Sequence, residues 1–182
     1  MKLIQHFQKH ISGKNIVAGI AFILFVNLIA FPLFPRLFHT NIPLQSTLDL
    51  HLGFSPQTVY HTLQDLSPQQ RQVYLISTLA IDTPYAIAYW TVYTLIILAL
   101  MQKISIKDKY QKFALIPLFI SIFDLVENSG IIYFITSFPD INPALVPIFS
   151  IANILKWIFA VITLIITVSL LLLWLITKLK KT

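Results

Sequence analysis

The chain has 182 residues, of which 57% are hydrophobic and 11% charged, with a formal charge of +6 and no cysteine. A soluble domain carries about 25% charged residues to keep its surface wet, so a water-facing globule is excluded. The lack of thiols excludes disulfides, thiolate nucleophiles, thiolate zinc sites and palmitoylation.

Lys2, Lys9 and Lys14 open the chain, and an apolar run follows from Ile16 to Phe34. It is longer than the roughly 7–15 residues of a signal-peptide core. It has no small-residue cleavage site and ends in Phe31-Pro32-Leu33-Phe34-Pro35, so it reads as an uncleaved first span. A helix rises about 1.5 Å per residue, so crossing about 30 Å of hydrocarbon takes about 20 apolar residues. Three more runs qualify: Val73–Met101, Phe113–Phe138 and Ala144–Ile176. All exceed the minimum and are expected to tilt, bend or project.

Between the first two spans lies the segment Arg36–Gln72. Ser55-Pro56 is an N-cap with proline at the first helical position. Val59, Leu63 and Leu66 then recur at helical spacing, which predicts a short amphipathic helix on the bundle or the membrane interface. Ser67-Pro68-Gln69-Gln70 is a capping box that opens the second span. The segment fits a cap over the outer end and a plain linker equally. Pro84 and Pro117 fall inside the second and third spans, where each is expected to kink its helix.

The lysines fix a topology. Lys2, Lys9 and Lys14 precede the first span, Lys103, Lys107, Lys109 and Lys112 fill the loop after the second, and Lys178, Lys180 and Lys181 follow the fourth. The other side has only Arg36 and Arg71, so the positive-inside rule puts both termini in the cytoplasm, in the cell membrane. The charge is therefore a topology signal, and no nucleic-acid partner is implied. The expected fold is a single all-α domain over 1–182, a four-helix transmembrane bundle with a short extracytoplasmic helix.

Charged groups at membrane depth cost about 2.5–3.5 kcal/mol each on insertion scales and mark function by default. Asp82, Asp124, Glu127 and Lys156 lie inside spans, accompanied by Asn27, Asn128 and Asn153. Asp124 and Asn128 are one helical turn apart with Glu127 between them, and Ser121 extends their face. Tyr74, Thr78, Asp82, Tyr85, Tyr89 and Tyr93 make a stripe on the second span, and Ser150, Asn153, Lys156 and Trp157 share a face on the fourth. Counted from the outer ends, Asn27, Asp82, Glu127 and Lys156 come out at about 10, 13, 16 and 18 Å. One polar layer follows. Three carboxyls against one ammonium leave about −2, so a carboxyl keeps its proton or a cation, cationic ligand or water completes the balance. Arg71 is placed to reach in from the edge.

Blander assignments exist for each feature. Asp124, Glu127 and Lys156 also suit a structural ion pair. Tyr74 and Trp174 are expected at the membrane interface, whereas Tyr85 and Tyr89 lie too deep for it. His39, His51 and His61 match no ligand spacing, so neither metal nor cofactor is expected. No histidine lies within a span, which removes serine-triad chemistry.

The set Gly53-Phe54-Ser55, Arg71, Tyr74, Asp82 with Pro84-Tyr85, Asp124-Leu125-Val126-Glu127-Asn128 and Leu155-Lys156-Trp157 resembles a pattern in uncharacterised bacterial four-span membrane proteins. It covers about Asp49 to Trp157 and implies one site without naming its chemistry. A looser likeness, in span count, acids and tyrosines alone, is to the four-helix sterol-isomerase and sigma-2-receptor-like proteins, which bind sterols or cationic amphiphiles in an intramembrane pocket.

Three functions compete. The first is a pocket binding or acting on a lipid or small amphiphile that enters laterally. Asp124 and Glu127 would then be general acid and base, Lys156 and Asn128 would orient the ligand, and Asp82 and Tyr85 would form a wall, with ligand expected between spans two and three. The second is a proton- or cation-coupled transporter or assembly partner, which with only four spans requires a homo-oligomer. The third is a structural subunit whose charges hold helices together.

Overall fold

The computed structural model describes residues 2–43 and 47–180. Lys181, one of the lysines read after the fourth span, lies outside the described residues. The architecture is all-helical. A short helix α1 (Lys2–Lys9) precedes α2 (Gly13–Phe25), which runs through a π-helical turn (Val26–Ala30) into α3 (Phe31–Leu37). A 3₁₀ turn (Leu48–Leu50) and α4 (Pro56–Asp65) follow. Then α5 (Pro68–Ser77) continues through a second π-helical turn (Thr78–Asp82) into α6 (Thr83–Lys103). A 3₁₀ segment (Asp108–Leu115) leads to α7 (Pro117–Ser137), and a further 3₁₀ turn (Pro143–Leu145) to α8 (Val146–Leu179).

Four helical stretches are long and apolar enough to cross a membrane: Gly13–Leu37, Pro68–Lys103, Asp108–Ser137 and Pro143–Leu179. They contain the four apolar runs read from the sequence, save for Phe138 at the end of the third. Spans two, three and four pack as a bundle, while span one lies mainly along span two. Its most apolar window is only 6% buried. The segments 38–43 and 47–67 lie at one end of the bundle, called the loop end, and Lys103–Lys112 at the other, the lysine end.

Both helix starts in the loop segment form as their chemistry dictates. Ser55 Oγ accepts from Thr58 N at 3.1 Å, with Pro56 in the first turn of α4. Ser67 Oγ accepts from Gln70 N while Gln70 Oε1 accepts from Ser67 N, the reciprocal capping box. Val59, Leu63 and Leu66 are buried against Tyr74, Ile131, Phe134 and Val146. The amphipathic helix therefore packs on the bundle.

The prolines act differently from expectation. Pro117 lies in the first turn of α7, after the 3₁₀ segment, where its missing N–H costs no helical bond. Pro84 and Pro32 each stand two residues after a π-helical turn. The wider turn shifts the hydrogen-bond register ahead of the ring: Thr83 N–H reaches Thr78 O, and Phe31 N–H reaches Val26 O. The Thr83 hydroxyl also donates to Thr78 O at 2.9 Å.

α7 and α8 approach closely at Gly130. A Cβ there would stand 2.2 Å from Phe149 Cγ, whereas one at Gly13 would meet nothing within 4 Å. Phe149 is held edge-on to Phe134 at 5.5 Å and has little room to yield. Gly130→Ala should therefore lower stability by about 1–3 kcal/mol through overpacking, and Gly13→Ala should not. Thermal melting of the two purified variants in one detergent checks the order; equal melting would contradict this packing.

Candidate functional site

Lys156 on α8 is the centre of the polar layer. Its ammonium lies 2.6 Å from Glu127 Oε2 and 3.3 Å from Asp124 Oδ1, both on α7. Asp124 Oδ2 also accepts from the Tyr89 hydroxyl of α6 at 2.9 Å. Glu127, fully buried, accepts at Oε1 from Asn153 Nδ2 at 2.8 Å. Five groups on three helices thus close one buried network. Two carboxylates in a low-dielectric layer require such a counter-charge, because an unpaired buried ion costs several kcal/mol.

The same α8 face grips the loop. Gly53 N donates to Asn153 Oδ1 at 2.7 Å and Phe54 N to Ser150 Oγ at 2.8 Å. Asn153 Nδ2 and Lys156 Nζ each reach the Asp49 carbonyl oxygen at 3.3 Å. From α5, the Tyr74 hydroxyl accepts from Leu48 N at 2.9 Å and donates to Asp49 Oδ1 at 3.0 Å. The strap 48–54 is therefore seated by side chains, and a positive φ of 78° at Gly53 turns it over Ile154 and Ser150.

Beside the network is a cavity of about 630 Å³. Asn27, Phe31, Pro32 and Pro35 of span one form one wall. Asp82, Tyr85, Tyr89 and Tyr93 of span two form another, with Asp124 of α7 behind. Lys156, Trp157 and Ala160 of α8 stand on the far side, and Asp49 and Leu50 of the strap at the loop end. The cavity thus lies between spans one, two and four, with Ile120 and Asp124 of span three behind it, where the loose packing of span one leaves space.

Both π-helical turns deliver polar residues to this cavity, Asn27 from the first and Thr78 and Asp82 from the second. Asn27 Nδ2 bonds both the Tyr85 hydroxyl and the Ile23 carbonyl. Among the described residues, the Asp82 carboxylate accepts no hydrogen bond and makes no ion pair. Its electrostatic neighbours are Asp124, Asp49, Lys156 and Glu127. Four carboxyls around one ammonium amount to a formal −3 when all are ionised, with exposed Arg36 at the rim the other cavity-lining cation.

The expected site residues divide into three groups. Asn27, Asp82, Tyr85, Tyr89, Asp124, Lys156 and Trp157 line the cavity. Glu127 and Asn153 stand behind that wall, so the acid–base pair does not face the cavity as a pair; Glu127 is committed to Lys156 and Asn153. Asn128 is 1% exposed, and among the described residues neither amide atom has a partner. Arg71 does not reach the layer: its Nη1 donates to Leu63 O and Leu66 O, and its guanidinium stacks over Phe138 at 4.7 Å, clasping α4 to the bundle.

Two site residues are new. Asp49 enters from the loop, and Tyr74, expected at the membrane interface, is 5% exposed and holds the strap. Among the described residues no group of three or more His, Asp or Glu is arranged to hold a metal ion. Comparison with family models, curated proteins and solved structures finds no match, so neither resemblance drawn from the sequence gains support.

Lys156→Met would leave Glu127 and Asp124 buried without a counter-charge, at an expected cost of about 3–5 kcal/mol. Adding Glu127→Gln to that variant should recover part of the loss, because one orphaned charge is removed. Asp124→Asn, which keeps an acceptor for Tyr89 and leaves Lys156 its shorter partner, should cost less than Glu127→Gln. Chemical or thermal unfolding of the four proteins in one lipid or detergent checks the ranking.

Proposed function

We propose that this multi-pass membrane protein binds a small amphiphile in the cavity, with a positively charged group of the ligand at Asp82. The supporting observation is the Asp82 carboxylate itself. It stands on the cavity wall without a protein partner, while the other two acids within the spans are met by Lys156. An unpaired carboxylate beside Tyr85, Tyr89 and Trp157 suits an ammonium, which is attracted by the charge and by aromatic faces alike. The remaining walls, Phe31, Pro32, Ile120 and Ala160, are apolar and suit a hydrocarbon body.

Entry from the bilayer, between spans one and four, fits the loose attachment of span one and the apolar residues of both helices at the cavity edge. The ion-pair network is the frame of this site in the proposal, not its chemistry. The positive-inside rule places the lysine end and both termini in the cytoplasm and the strap outside, in the cell membrane.

Asp82→Asn tests the reading without disturbing the frame. A fluorescent long-chain alkylamine titrated into the protein in lipid nanodiscs should bind saturably, and Asp82→Asn should weaken it at least about tenfold, a loss of about 1.4 kcal/mol. The corresponding alcohol should bind both proteins alike, and the melting temperature should stay within a degree or so because no protein partner is lost. Equal affinity of the amine for both proteins would contradict the proposal.

A further inference from the structure

A second polar feature lies at the lysine end, apart from the cavity. α1 is amphipathic: Phe7 is buried with its ring edge-on to Trp90 at 5.3 Å, Ile4 and Ile11 pack beside it, and Lys2, His6 and Lys9 face outward. Gln8 Nε2 donates to Gln111 Oε1 at 2.7 Å, and Gln111 Nε2 donates to Asp108 Oδ1 at 2.8 Å. Gln111 is buried, and its bond to half-buried Gln8 fastens α1 to the 3₁₀ segment Asp108–Leu115, while its bond to Asp108 braces the segment itself.

The fastening brings together cations from two distant stretches of chain. Lys2 and Lys9 of α1 join Lys107, Lys109 and Lys112, all exposed. Among the described residues none of these five makes an ion pair, and the nearby acid Asp108 is engaged by Gln111. Lys109 and Lys112 stand 4.8 and 5.6 Å over the rings of Tyr110 and Phe113, which are each 45% exposed.

Topology alone asks only for positive charge near the ends of spans. It does not ask that two segments be docked by a part-buried amide pair, or that exposed aromatic rings stand among the lysines. Rings with an apolar body beside cationic tips belong at the depth of lipid headgroups, and clustered lysines next to a span are drawn to anionic lipid. Among the described residues no acid pairs with this charge.

We propose that α1 and the 3₁₀ segment form one binding surface for the phosphate headgroups of anionic phospholipids in the surrounding bilayer. The five lysines meet the phosphates, and Tyr110 and Phe113 insert at the headgroup level. This surface is independent of the cavity and of whatever the cavity binds.

The test places the full-length protein in nanodiscs of phosphatidylcholine with and without phosphatidylglycerol. The anionic lipid should raise the melting temperature by several degrees, as a ligand of the folded state does, and high salt should abolish the rise. The variant Lys107→Gln/Lys109→Gln/Lys112→Gln should melt like wild type in phosphatidylcholine and lose the rise with phosphatidylglycerol. Should the triple variant fail to fold, Lys2→Gln/Lys9→Gln gives the same readout from the α1 side. A rise of equal size in the variants, or no rise in wild type, overturns the proposal. So does an equal rise from inorganic phosphate added to phosphatidylcholine discs.

Discussion

The structure depends on one ammonium in a layer that excludes water. Among the described residues Glu127 and Asp124 have no counter-charge other than Lys156 within contact, and an isolated buried carboxylate is too costly to keep. Lys156 therefore fixes the rotation of α7 against α8, and through Asp124 and Tyr89 the position of α6. It also reaches the Asp49 carbonyl, so the group that neutralises the helices helps seat the strap. Asn153 repeats this double duty, bonded to Glu127 on one side and to Gly53 N on the other. A single face of α8 thus ties the interior of the bundle to its loop end.

That constraint also shapes the cavity. With Lys156 satisfied by two acids, the third acid within the spans has no partner left. The two π-helical turns aim Asn27 and Asp82 into the same space, each turn ahead of a proline that forbids the ordinary helical bond. Span one, little buried and joined here through Asn27 and Tyr85, is the wall with the fewest ties. Charge placement and loose packing therefore coincide on one side of the bundle, where a ligand from the bilayer would enter.

Much of this was legible in the chain because it is local or one-dimensional. Apolar length marks a span, and Ser55-Pro56 and Ser67-Pro68-Gln69-Gln70 start helices by short-range bonds. Acids at membrane depth stand out by their cost. The gathering of Asp82, Asp124, Glu127 and Lys156 followed from helical period and depth. What escaped depends on distant partners. Asp49 looks like any loop acid until the strap meets Asn153 and Lys156 about a hundred residues on. Tyr74 at the end of a span has two plausible destinations, and only the strap decides for the interior. Arg71 reads as a charge near the layer, yet the ends of α4 offer it nearer carbonyls. The π-helical turns left no signal beyond their prolines. The amphipathic α1 went unread, although Ile4 and Phe7 stand at helical spacing within it.

Glu127 is the only glutamate in the chain, so labelling glutamate alone marks one carboxyl. Solid-state NMR in lipid, with ¹³C at the glutamate carboxyl and ¹⁵N at the lysine ammoniums, measures its contact with Lys156 directly. A strong dipolar coupling to one lysine, lost in Lys156→Arg, is the expected result of the 2.6 Å ion pair. A glutamate carboxyl with no lysine nitrogen near it would contradict the network, and with it the seating of the strap and the isolation of Asp82.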